Sequence, residues 1–142
     1  NADNSISVAY GFERNLWSSN TVTLIHNTLA TTRGAGTFVS VAGYTQSLTL
    51  TANLFAGVST ISSGVSGSKL VQQNNVATAM TNLPGADVIA NPSFWPLSSL
   101  LPALQLSTVP DAQYLYDAPR PYTLRALSAV SGRRVGALQA QP

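Results

Sequence analysis

Hydrophobic and polar residues alternate through the first half of the chain in a way that predicts β-strands. From Ser5 to Tyr10 the order Ser-Ile-Ser-Val-Ala-Tyr places Ile6, Val8 and Tyr10 on one face, and Gly11 ends the run. Thr21–Ile25 (TVTLI) and Thr37–Val41 (TFVSV) are short and rich in β-branched residues, which fit a pleated, half-buried surface. The longest alternation runs from Ser47 to Phe55, where Leu48, Leu50, Ala52 and Leu54 interleave with Thr49, Thr51 and Asn53. Between these last two runs, Ala42-Gly43 predicts a tight hairpin, since glycine accepts the positive φ such turns demand.

The pattern then loosens. Residues 57–68 (GVSTISSGVSGS) read as a loop with room for one short strand. Behind Ser68, the residues Leu70, Val76, Ala77, Met80 and Leu83 fall at three- and four-residue spacings, so a short helix is expected near 69–82, closed by Pro84-Gly85. Asn74-Asn75 and Thr78 weigh against it as weak helix formers. Seven of the eight prolines lie between 84 and 121 and exclude long helices there, because each removes a donor and crowds the preceding turn. What remains is short extended pieces at 87–90, 104–109 and 113–116, then Pro119-Arg120-Pro121 as a stiff link into a last strand or short helix at 122–130. Residues 131–142 have no period and are expected to form an extended arm. No internal repeat stands out at a period of 20 to 50 residues. The expected fold is therefore mainly β. It is a single antiparallel β-sandwich or jelly-roll-like domain over 1–130, with a proline-rich irregular C-terminal third and an extended C-terminal tail.

Composition changes the picture at the surface. Charged residues are 8% of the chain, against roughly 25% in an ordinary soluble domain. Ser, Thr, Asn and Gln together supply 48 of the 142 residues, so neutral polar groups stand where charges usually do. There is no cysteine, which excludes disulfide frameworks, Cys-ligated metals and thiol nucleophiles. No apolar run approaches the ~20 residues of a membrane-spanning helix, so no membrane span is expected. A chain that opens on Asn1 is expected to be a processed product, a trimmed piece or an excised domain.

Little catalytic chemistry is on offer. His26 is the single histidine and reads as a strand-ending residue satisfied by backbone, because no G-x-S-x-G elbow accompanies it. The five carboxylates are Asp3, Glu13, Asp87, Asp111 and Asp117. The two nearest in sequence, Asp111 and Asp117, sit beside prolines as turn residues do, and nothing has the oxygen-ligand spacing of a calcium loop. Neither Arg33-Gly34-Ala35-Gly36 nor Gly64-Val65-Ser66-Gly67-Ser68-Lys69 has phosphate-loop spacing. No catalytic residue, metal or cofactor is expected.

Charge is unevenly placed. Residues 1–109 balance to zero, whereas residues 110–142 carry Arg120, Arg125, Arg133 and Arg134 against Asp111 and Asp117. Such arginines serve subunit or anion contacts, a solvated tail, or nucleic-acid phosphates, and the first reading is preferred because packaging arms carry denser basic runs. Trp17, Tyr114 and Tyr116 offer stacking platforms for a glycan or protein partner, and core filling is the competing reading for them and for Phe94, Trp95 and Tyr122. Asn91-Pro92-Ser93 is disqualified as a glycosylation acceptor by its proline.

A neutral polar exterior can be buried against copies of itself without stranding ions. In this Ser/Thr/Asn-rich, Pro-looped, strand-dominated composition the chain resembles viral coat, projection and fibre-head domains, and is similar to extracellular pilus or filament subunits. The resemblance implies a non-enzymatic structural subunit of a multi-copy assembly, virion-borne or extracellular, whose partners are copies of itself or sister subunits. The alternative from another class is an extracellular glycan- or receptor-binding module.

Overall fold

A computed structural model describes residues 6–10, 12, 20–42, 44–57, 60–85, 96–107, 114–116, 124–126 and 135–136. Nine of its strands form three turns of a coil. The first turn holds β1 (Ile6–Tyr10), β2 (Asn20–Ile25) and β3 (Thr28–Ala30). The second holds β4 (Thr37–Val41), β5 (Thr45–Thr51) and β6 (Leu54–Ala56), and the third β7 (Thr60–Ser63), β8 (Leu70–Gln73) and β9 (Val76–Thr78). Each strand pairs, in parallel, with the strand three places later, giving three three-stranded sheets ordered β1-β4-β7, β2-β5-β8 and β3-β6-β9. This architecture is a short, three-faced parallel β-solenoid, in which each rung stacks on its neighbour.

The antiparallel sandwich expected from the sequence is thus incorrect. Period-two alternation reports that one face of a strand is buried but carries no information on the direction of its neighbours. The Ala42-Gly43 hairpin fails for the same reason. β4 and β5 belong to different sheets, and the turn between them is a corner, where Ala42 N–H donates to Tyr10 O of the rung below (3.0 Å) and Thr45 N–H to Ala42 O (2.9 Å). The long strand read from Ser47 to Phe55 is broken at Ala52, whose φ of 55° turns the chain from one face to the next. The helix expected near 69–82 is instead β8, a corner at Asn74-Asn75, β9 and a single 3-10 turn at Met80–Asn82. Asn74 has φ 55° and cannot continue a right-handed helix, so the helical spacing of Leu70, Val76 and Met80 is coincidental.

Columns of stacked side chains fill the solenoid. Val22, Leu48 and Leu70 share one register position, Leu24, Leu50 and Gln72 the next, and Leu29, Phe55 and Ala77 a third. Leu29, Leu48, Leu50 and Phe55 are buried in one cluster with Phe38, Val39 and Val41 of the first sheet. Phe38 packs on Phe55 with ring centroids 5.2 Å apart, tying the first sheet to the third. In the last rung two of these columns end on Gln72 and Ala77, both exposed, and the third on the half-buried Leu70.

The proline-rich third covers the outside of one face. Ala30, Leu54, Ala56 and Val76, from all three rungs of the third sheet, pack against Met80, Leu83, Leu100, Leu104, Leu106 and Val135. The covering segment includes a 3-10 turn at Leu101–Leu104, which contains Pro102. Val135 and Gly136, expected to lie in an extended arm, are buried there instead. Val135 N–H donates to Leu104 O and Gly136 N–H to Ala52 O, both at 2.8 Å. Gly136 has φ 89°, and a Cβ on it would lie 2.7 Å from Thr28 Oγ1. Only glycine permits that approach. An antiparallel pair, β10 (Tyr114–Tyr116) and β11 (Leu124–Ala126), completes the described elements.

Candidate functional site: an asparagine corner

The corner between the second and third faces is built three times around an asparagine. Leu24-Ile25-His26-Asn27-Thr28-Leu29-Ala30, Leu50-Thr51-Ala52-Asn53-Leu54-Phe55-Ala56 and Gln72-Gln73-Asn74-Asn75-Val76-Ala77-Thr78 superimpose in register, each with Asn in the fourth place. The residue before each Asn takes the left-handed conformation, with φ 56° at His26, 55° at Ala52 and 55° at Asn74. The bend leaves the following carboxamide pointing along the solenoid axis, where it bridges rungs.

Those bridges form a directional ladder. Asn53 Oδ1 accepts from Asn27 N–H (2.9 Å) and from Asn27 Nδ2 (3.1 Å). Asn75 Oδ1 accepts in the same way from Asn53 N–H (2.9 Å) and Asn53 Nδ2 (3.0 Å). The amides also donate back to strand carbonyls one rung earlier, Asn53 Nδ2 to Leu24 O (2.8 Å) and Asn75 Nδ2 to Leu50 O (2.7 Å). Asn27 has no earlier described rung, and its Nδ2 donates to Ile25 O of its own turn (3.1 Å). Asn53 is fully buried with both ends of its amide engaged, as a buried polar group requires. Backbone bonds continue through the corner, His26 N–H to Thr51 O, Ala52 N–H to Gln73 O, Leu54 N–H to Asn27 O and Val76 N–H to Asn53 O, all within 3.1 Å.

The outer face of β2-β5-β8 carries hydroxyls and amides. Thr21 pairs with Ser47, whose Oγ donates to Thr21 Oγ1 at 3.4 Å; Thr23 and Thr49 lead to Val71, and Ile25 and Thr51 lead to Gln73. Among the described residues of the coil, from Ile6 to Thr78, the permanently charged side chains are Arg33 and Lys69, both exposed. Besides Val71, the large exposed apolar groups among the described residues are Tyr10, Phe12 and Leu97.

The residues singled out from the sequence fall as follows. His26 directly follows β2 and is 4% exposed in the corner, with its N–H bonded to Thr51 O. Tyr114, Tyr116 and Arg125 meet in the β10–β11 pair, where Tyr114 lies opposite Ala126, Tyr116 opposite Leu124 and Arg125 opposite Leu115. Trp17, Arg120, Arg133 and Arg134 lie outside the described residues, as do all five carboxylates, Phe94, Trp95 and the expected extended piece at 87–90. Among the described residues no three His, Cys, Asp or Glu side chains gather where a metal could bind, and no helix is long and apolar enough to cross a membrane.

Asn27, Asn53 and Asn75 are the functional candidates that the sequence reading missed. The available signal was one asparagine recurring at the same place in three strand-turn-strand segments, hidden because the copies are spaced 26 and then 22 residues apart. Comparison of the chain with protein-family models, with curated proteins and with solved structures finds no match.

Proposed function

We propose that this chain is a non-enzymatic structural subunit of a multi-copy assembly, a short solenoid module of a virion projection or a comparable extracellular filament. One observation carries the reading: a stacked, three-faced coil whose described residues, from Ile6 to Thr78, hold two charges, Arg33 and Lys69, amid rows of Thr, Ser, Gln and Asn. Neutral polar rows can be covered by sister molecules at a low dehydration cost, whereas ions would need partners. A solenoid favours a projection over a flat coat, because each added rung lengthens it by about 4.8 Å without altering its cross-section. The test is the mass of the purified chain by light scattering, together with negative-stain images. Discrete or open-ended oligomers are expected, and a strict monomer at every concentration reached overturns the proposal.

A second reading is favoured by Tyr10 and Phe12, which are 49% and 59% exposed beside the first sheet. Aromatic faces next to hydroxyl-rich strands suit a glycan or receptor contact. Binding on a glycan array that is lost in Tyr10→Ala and Phe12→Ala would support this reading, and an array without binders would remove it.

A further inference from the structure

We infer that the two ends of the solenoid are complementary and that the third rung of one copy stacks on the first rung of another, continuing the asparagine ladder across the junction. The inference rests on the assembly reading above and names its partner, a second copy of this chain, and its contact. Within the molecule each Asn Oδ1 receives the main-chain N–H and Nδ2 of the Asn one rung before it. At the ends this relation is left open in opposite senses. Among the described residues Asn27 Oδ1 accepts no hydrogen bond and Asn75 N–H donates none, so one end offers the acceptor that the other end lacks.

Stacking one copy on another repeats the internal geometry. Asn75 N–H of the lower copy donates to Asn27 Oδ1 of the upper, and Asn27 Nδ2 of the upper exchanges its bond to Ile25 O for one to Gln72 O below. Register then sets Val22 over Leu70, Leu24 over Gln72 and Leu29 over Ala77. The described positions in all six end strands are neutral, so the strands that meet at the junction bring no charge into it. Strands β1, β2 and β3 at one end, and β7, β8 and β9 at the other, each have one neighbour among the described residues. Exposed sheet edges are templates for further pairing. Because the two surfaces differ, the contact is heterologous and propagates into an open filament rather than closing as a dimer.

Two variants, each altering one end, test this. Ala77→Lys places a charge at an exposed position of the third rung and is expected to abolish association through that end. Asn27→Ala removes both ladder bonds from the first rung and is expected to weaken association about tenfold. Circular dichroism establishes that each variant is folded, and Gln72→Lys replaces Ala77→Lys if that one is not. In light scattering, each variant alone should lose long chains. Mixed in equal amounts they should form mainly dimers, because the pair retains one intact junction and further growth must use a weakened or blocked end. Oligomers insensitive to both substitutions would overturn the stacking while leaving the assembly reading in place. A wild-type chain that is always monomeric would overturn both, and hydrogen-exchange protection of the first rung in that monomer would show that the chain covers this end itself.

Discussion

The residue that decides most here is Asn53. Its carboxamide accepts twice and donates twice with no exposure to water, so removing it strands Asn27 N–H and takes a donor from both Leu24 O and Asn75 Oδ1, which keeps the Asn53 main-chain N–H. Asn53→Ala is expected to cost about 3 kcal/mol, since each buried group left without a partner costs about 1–3 kcal/mol. Asn53→Asp should be worse, because a carboxylate faces Leu24 O and Asn75 Oδ1 as acceptor against acceptor. Asn27→Ala, at the half-buried end of the ladder, should cost only about 1 kcal/mol. Urea midpoints of the three variants rank them, and equal losses at Asn27 and Asn53 would contradict the ladder. Asn74 isolates the backbone contribution, because its side chain is exposed while its φ is 55°. Asn74→Gly should change stability little, whereas Asn74→Val forces a β-branched residue into the left-handed region at a cost of about 1–2 kcal/mol.

At the level of elements, the C-terminal cover depends on a single close approach. Gly136 fits beside Thr28 and Leu54 at φ 89°, and its N–H ties the cover to Ala52 in the corner. Gly136→Ala is expected to free this segment, seen as faster hydrogen exchange at Val135 and Gly136 and a loss of about 1–3 kcal/mol from the strained backbone. The strands were largely legible in the sequence, since β1, β2 and β4 lie where alternation predicts them. Their partners were not, because a strand's period of two is the same in a hairpin and in a solenoid. The repeat was hidden by its unequal turns: β3 and β4 are separated by residues 31–36 but β6 and β7 by 57–59, and β5 (Thr45–Thr51) is longer than β8 (Leu70–Gln73). A fixed-period search therefore misses segments that recur at 26 and 22 residues. Asn74-Asn75, taken as a defect in a helix, is the corner itself. Of the candidate site, the sequence places His26 at a strand end, but it sets Asn27, Asn53 and Asn75 apart from the other neutral polar residues by no local pattern.

For the whole molecule, the open question is what makes three rungs fold as one. A solenoid contacts only nearest neighbours, so its stability is approximately a sum over rungs, and terminal rungs fray unless something couples them. The cover supplies that coupling, because Leu83, Leu104 and Val135 form one cluster with Leu54 and Ala56 of the second rung, against which Ala30 of the first and Val76 of the third also pack. Interior columns stack rung on rung, whereas the cover binds all three at once. Leu104→Ala and Leu50→Ala each delete a fully buried leucine and should each cost about 2–5 kcal/mol. Their unfolding should nevertheless differ in form. Leu50→Ala lowers the urea midpoint but keeps one sharp transition, since the cover still joins the rungs. Leu104→Ala loosens the clamp, so exchange at Thr60–Ser63 and Leu70–Gln73 in the third rung should quicken before that at Thr45–Thr51, and the circular dichroism transition should broaden. Equal broadening in both variants would show that cooperativity resides in the stacked interior and that the cover is only a lid on one face.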